Sequence, residues 1–272
     1  LVKKGSTWIL AIEEPLQKRA QTLLTRWKQF NGLGRQLGGV DKKIATNFLL
    51  RRHELLEQTR SYHVMRAAVA EDYRKILEDE QIMAALEKLG QDTKSLPRTI
   101  KQYEKPDKKL RQVLPKGPPQ LGNFVLLIIN ETTPVVIEQD TAMLIHKEAK
   151  ALLILPRAGW EAAGLPDGTL TQKHMHDQWP PHLWEVAVPS LRWGTAIAKN
   201  AKAYRMHNHP ANQDEAYGSR VGPVGWQTFL QQLRPAPTPK PTKKQIAAAR
   251  DKLLLPPASK LDKIPGKNTD TP

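Results

Sequence analysis

Between Val40 and Leu89 the chain has neither a glycine nor a proline, and nothing else in the sequence narrows its choice of fold as much. So long a stretch without a helix breaker predicts one continuous helix, about 41–89, with Asp41 as its N-cap and Gly90 just past its end. At about 1.5 Å per residue such a helix runs on the order of 70 Å, a strut rather than a compact core element. Along it Phe48, Leu55, Tyr62, Val69, Ile76 and Met83 fall at seven-residue steps, flanked by Leu49, Leu56, His63, Ala70, Leu77 and Ala84. A stripe two residues wide suits one partner helix or a groove, or packing on the helix expected upstream. The positions three or four places on are polar (Arg51, Gln58 and Asp72; Arg52, Thr59 and Arg66), so a symmetric coiled coil is not expected.

That upstream helix is read from Leu16, Ala20, Leu23, Leu24 and Trp27, which repeat at helical spacing after Pro15 and stop at the Gly32, Gly34, Gly38 and Gly39 cluster. Residues 1–93 therefore form a helical arm. Residues 94–119 carry Pro97, Pro106, Pro115, Pro118 and Pro119 among lysines and arginines and read as an extended basic linker with no core of its own. From 120 to 233 the pattern changes. Phe124–Asn130, Val135–Gln139, Thr141–His146 and Ala151–Leu155 look like short strands, with a helix from Ser190 to about Ala203 and another near Trp226–Leu233. The expected class is α+β, with a small, mostly antiparallel sheet. Residues 234–272 are a Pro/Lys-rich tail around one amphipathic patch, Ile246–Leu255, expected to be disordered alone.

Charge separates these segments. The net charge is +15, yet residues 117–233 hold nine basic and ten acidic side chains, while residues 94–116 hold eight basic and two acidic and residues 234–272 nine and three. The surplus sits on the N-terminal region, the linker and the tail. A surplus of that size favours a polyanionic partner. The residues expected to meet phosphate are Lys94, Arg98, Lys101, Lys105, Lys108, Lys109 and Arg111 in the linker, and Lys240, Lys243, Lys244, Arg250 and Lys252 in the tail. Five of the seven tryptophans, Trp160, Trp179, Trp184, Trp193 and Trp226, lie in the neutral block, where they read as core and rim rather than a base-stacking platform.

Several chemistries are excluded or unsupported. There is no cysteine, hence no disulfide, zinc–thiolate site, iron–sulfur cluster or thiol nucleophile. The longest uninterrupted apolar run, Phe124–Ile129, is far too short to span a bilayer as a helix. The sequence has no phosphate-binding loop, no Gly-x-Gly-x-x-Gly and no Gly-x-Ser-x-Gly elbow. His207-Asn-His209-Pro210 resembles the His-x-His-Pro element of the JAMM metalloproteases, a likeness that implies zinc held by the two histidines and a later aspartate. Here Ser219 comes too late for that motif, and Gly222 stands where the aspartate belongs. His174-Met-His176-Asp177 resembles the His-x-His-x-Asp-His element of metallo-β-lactamase-like hydrolases, but Gln178 and Trp179 occupy the last two ligand positions. With His182, these histidines are expected to stack on aromatics or face solvent, with no catalytic residue, metal or cofactor assigned.

The expectation is a structural, non-catalytic subunit of a ribonucleoprotein, its partners rRNA and neighbouring ribosomal proteins. In architecture and composition the chain looks like the lineage-specific subunits of mitochondrial ribosomes, which implies a matrix location and a removed presequence ahead of Leu1. The alternatives are an accessory subunit of an organellar membrane complex, such as an ATP synthase or respiratory assembly, and a metal-dependent hydrolase.

Overall fold

The computed structural model of the chain describes residues 1–4, 7–37, 40–139, 152–171, 183–206, 220–236 and 240–254. The order of elements is β1 (Val2–Lys4), β2 (Thr7–Ile9), α1 (Glu13–Gln36), α2 (Lys42–Glu78), α3 (Glu80–Lys88), α4 (Leu96–Glu104), α5 (Lys108–Val113), β3 (Gln120–Leu121), β4 (Phe124–Ile129), β5 (Thr133–Gln139), β6 (Leu153–Ile154), α6 (Arg157–Ala162), β7 (Thr169–Thr171), β8 (Leu183–Trp193), β9 (Ala196–Met206), β10 (Arg220–Val221), α7 (Pro223–Gln232), β11 (Arg234–Pro235) and α8 (Lys243–Leu254). The class is α+β, as expected. The chain divides into two compact units: a helical one of Leu1–Thr25, Gln58–Gln112 and the chain from Lys240, and a barrel unit of Arg26–Glu57 and Val113–Pro239.

The long helix is shorter than its lack of glycine and proline suggests. α2 starts where expected, its Ile44 amide donating to Asp41 Oδ1 at 2.7 Å, but ends at Glu78. Asp79 is extended at φ −95° and ψ 102°, and its carboxylate accepts from the amides of Gln81 and Ile82 at 3.0 Å each, capping α3. Consecutive acidic residues at 78–80 oppose the dipole at the end of one helix and favour the start of the next. Gly90 follows α3 with φ 68°.

The apolar stripe is used up inside the chain. Leu55, Tyr62, Val69 and Ile76 are each at most 7 % exposed, and Phe48, half-buried, stacks on Phe30 at 4.3 Å. Met83, on α3, is half-buried. The polar row also turns inward: Arg52, Thr59 and Arg66 are buried. The expectation of a docking face for a foreign helix is therefore corrected; α2 buries a wide stripe within its own fold, and the two arginines of the polar row bind backbone carbonyls.

In the barrel unit, six strands close in the order β9–β6–β10–β5–β4–β8 and back to β9. β5/β10 and β6/β9 pair in parallel, and the other four pairings are antiparallel. β3 adds to β4, β7 to β8 and β11 to β9. The sheet is thus closed and partly parallel. All six residues of β4 are buried, because its two faces serve different cores. Val125, Leu127 and Ile129 join one core with Val135, Ile137, Val188, Leu191, Trp160 and Phe229, whereas Phe124, Leu126 and Ile128 pack on Ala45 and Leu49 of α2. Covering both sides of a strand turns the usual alternation into a continuous apolar run.

The helix expected over Ser190–Ala203 is instead two strands of a hairpin. β8 and β9 pair from Leu183↔Met206 to Trp193↔Ala196, turning at Gly194, whose φ is 61°. The pairing lapses at Pro189, which has no N–H, opposite Asn200 at φ 53°. The alanines that suggested a helix, Ala198, Ala201 and Ala203, are all buried in the barrel core, where a narrow barrel needs small side chains. Gly159 of α6 is similarly required, since a Cβ there would lie 2.4 Å from Val135 Cγ1. Of the tryptophans, Trp160 is buried, Trp193 and Trp226 meet edge-on at 5.0 Å against the core, Trp184 is half-buried, and Trp179 lies outside the described residues.

In the helical unit two expectations are corrected. Residues 94–119 are not extended up to Val113: a 3-10 turn at Thr93–Ser95 leads into α4, and α5 follows, with Ile100 and Leu110 buried. The tail is helical over α8. Thr242 and Gln245 exchange a capping box there, the Gln245 amide donating to Thr242 Oγ1 at 3.2 Å and the Thr242 amide to Gln245 Oε1 at 2.9 Å. Ala249 and Leu253 are buried. Thr141–His146 lies outside the described residues.

Candidate functional site

α4 has two faces at helical spacing. Ile100 is buried and Leu96 and Tyr103 are half-buried, while Arg98 and Lys101, with Lys94 before and Lys105 after the helix, are exposed. Pro97 stands in its first turn and Pro106 just beyond its end, so the prolines punctuate a helix.

A buried arginine and a half-buried aspartate hold the bend between α4 and α5. Arg66 of α2 donates through Nη2 to the carbonyl oxygens of Gln102 (2.5 Å) and Lys105 (3.0 Å), the carbonyls left without partners where α4 ends. Asp107 then caps α5, its Oδ1 accepting from the amides of Lys109 (2.9 Å) and Leu110 (3.1 Å). Its other oxygen accepts from the Tyr62 hydroxyl (2.9 Å) and lies 3.5 Å from Arg66 Nη1. Burial pushes the Tyr62 hydroxyl up to about 12, against Arg66. Burial also acts to raise the Asp107 acid, but the Leu110 amide, Tyr62, Arg66 and the Lys109 amide outweigh it and hold the carboxyl below its usual range. Beside them, burial and then Arg66 keep His63 below the ordinary imidazole value.

Behind this bend sits Glu13, 6 % exposed. The hydroxyls of Tyr73 and Tyr103 both donate to its carboxylate, Tyr103 at 2.6 Å, and the Leu10 amide donates at 3.1 Å. Burial first, then the bond to Glu13, pushes both hydroxyls well above the ordinary tyrosine value. The Tyr103 ring is stacked on Tyr73 at 6.2 Å, and the Arg66 guanidinium lies over it at 5.3 Å.

This framework walls a cleft of about 840 Å³. It is lined by Leu16, Gln17, Ala20, Gln21 and Leu24 of α1, by Tyr62 and Arg66 of α2, and by residues of α4, α5 and the bend between them, Asp107 included. Six cationic side chains line it against one carboxylate, that of Asp107, whose oxygens are already engaged. Arg98, Lys101, Lys105, Lys108 and Lys109 are exposed, and among the described residues none of them pairs with a carboxylate. Five of the seven linker residues expected to bind phosphate thus gather in one cleft; Lys94 and Arg111 are exposed outside its lining.

The tail residues fare unequally. Lys240, Lys243, Lys244 and Lys252 are exposed. Arg250 is committed within the fold, its Nε donating to Asp72 Oδ2 at 3.0 Å and its Nη2 to Asp72 Oδ1, so its expected role toward phosphate is corrected to a structural one. The Lys252 carbonyl accepts from Arg19 at 3.3 Å.

Sequence reasoning overlooked Arg66, Asp107, Glu13 and Tyr103. Asp107 did carry a signal, being a helix-capping residue directly after a proline. His174, His176, His182, His207 and His209 lie outside the described residues. Among the described residues no group of three or more histidine, aspartate or glutamate side chains could hold a metal ion, and no helix is long and apolar enough to cross a membrane. No family model matches the chain, and comparison with curated proteins and with solved structures finds no match either. Function therefore rests on the residues themselves.

Proposed function

We propose that this protein is a structural, non-catalytic RNA-binding subunit of a large ribonucleoprotein of the mitochondrial-ribosome class, acting in the matrix. The observation that carries the reading is the cleft: five exposed lysines and arginines, unpaired among the described residues, converge around a hollow whose one carboxylate is internally satisfied. Bringing like charges together opposes folding unless a polyanion joins them. Binding would proceed mainly through phosphate contacts and release of counterions, with little direct base readout. Lys240, Lys243 and Lys244, exposed just before and at the start of α8, extend the same chemistry. The well-packed strands of the barrel lie in the near-neutral stretch 117–233, which suits docking against protein neighbours.

The test is sedimentation of the tagged protein from gently lysed mitochondria, with and without ribonuclease. Co-migration with a ribosomal subunit that ribonuclease abolishes is expected. Migration with a large particle indifferent to ribonuclease would instead favour a subunit of a protein complex, and migration as a free 30.7 kDa species would remove the assembly reading altogether.

A further inference from the structure

The cleft is amphipathic, which a surface built only to neutralise phosphate has no need to be. Its exposed cations stand on α4, on α5 and on the bend between them, while α1 contributes the apolar Leu16, Ala20 and Leu24 together with the exposed Gln17 and Gln21. Its volume, about 840 Å³, falls in the range of sites that enclose a small ligand and is ample for unpaired nucleotides. An RNA duplex presents phosphates on its outside and keeps its bases paired within, so it can meet the rim lysines but has nothing to lay on the apolar side chains of α1. An unpaired strand offers both, phosphates outward and base faces to cover. Of the two rings lining the cleft, Tyr103 is stacked on Tyr73, and the Arg66 guanidinium lies over both Tyr103 and Tyr62, so the bases would lie on aliphatic side chains. Such packing favours no particular base.

We infer that the cleft takes an unpaired stretch of RNA, with its phosphates on Arg98, Lys101, Lys105, Lys108 and Lys109 and its bases against Ala20 and Leu24. This rests on the RNA-binding reading above and goes further by naming the form of RNA.

The experiment measures binding of the full chain to three probes across a salt series: a short single-stranded oligoribonucleotide of mixed sequence, the duplex it forms with its complement, and an abasic strand of the same length. The single strand should bind about ten-fold tighter than the duplex, and the abasic strand should lose that advantage. Ala20→Glu, placing a carboxylate at the half-buried Ala20 position, should abolish the preference, weakening the single strand by about ten-fold more than the duplex. Leu24→Gln, a milder change, guards against a variant that misfolds, with circular dichroism as the check. Lys101→Gln with Lys105→Gln should weaken every probe. Equal affinity for single strand and duplex, still sensitive to the lysine changes, would overturn the inference and leave RNA binding intact. Failure of all probes to bind would overturn both.

Discussion

The barrel unit and the helical unit bury side chains for different ends. In the barrel, β4 is apolar on both faces, and the inner core is assembled from Val125, Leu127, Ile129, Val135 and Ile137 with the small Ala198, Ala201 and Ala203. In the helical unit the side chains that decide the geometry are polar: buried Glu13 under two tyrosines, and buried Arg66 with half-buried Asp107 across the α4–α5 bend. Buried polar groups stabilise little when satisfied and cost much when orphaned. They do fix direction, and here they fix which way five cations face. One unit is built for packing, the other for presenting charge.

Substitutions should separate the two. Leu127→Ala, at a fully buried barrel position, should cost about 3–5 kcal/mol in denaturant unfolding and leave RNA affinity unchanged at temperatures where the protein remains folded. Arg66→Met should cost about 2–4 kcal/mol, because it strips the Gln102 and Lys105 carbonyls and Asp107 of the donor that a buried guanidinium supplies. Unlike the barrel change it should also weaken RNA binding, since the bend that aims Lys101, Lys105 and Lys108 loses its clasp. If Leu127→Ala weakened binding as much as Arg66→Met did, the division of labour would be wrong.

Acid should act on the helical unit. The Asp107 carboxyl and the His63 imidazole both have folded-state values below their unfolded ones. The unfolded chain therefore binds more protons, and stability falls with pH, from about 6.5 downward for His63 and through the carboxylate range for Asp107. Asp107→Asn should flatten the lower part of that curve in unfolding midpoints measured from about pH 7 to about pH 3. At the other end, ultraviolet titration should find a tyrosine, Tyr62, resisting ionisation to about 12. Thr242→Ala, which breaks the capping box of α8, should cost about 1 kcal/mol.

Much of the fold was legible where one local signal dominated. Asp41 and Gly90 bound the α2–α3 stretch as expected, and the strand at Phe124 and the helix near Trp226 are where their patterns put them. Misreadings came where tertiary packing outweighed composition. Ala198, Ala201 and Ala203 are good helix formers, but a closed barrel wants small inner residues, so propensity gave way. The prolines of 94–119 suggested an extended chain, but Pro97 stands in the first turn of α4 and Pro106 just beyond its end, with Ile100 on the buried face of that helix. Arg52, Thr59 and Arg66 made the inner row of α2 look too polar to bury. A single sequence does not display the carbonyls that receive the two arginines, those of Gly117 and Pro118 for Arg52 and of Gln102 and Lys105 for Arg66. The cationic residues were legible one by one, but their convergence depends on those buried hydrogen bonds.

The most direct test of the central claim is the salt dependence of RNA binding by the full chain, set against a variant carrying Lys101→Gln, Lys105→Gln, Lys108→Gln and Lys109→Gln. Exposed and unpaired among the described residues, these four should cost little stability, within about 0.5 kcal/mol each. The slope of log affinity against log salt should flatten by about 0.7 for each phosphate of a single strand that the variant no longer neutralises. A variant that binds RNA with the wild-type affinity and slope would contradict the account, because the cleft would then carry charge that RNA does not use.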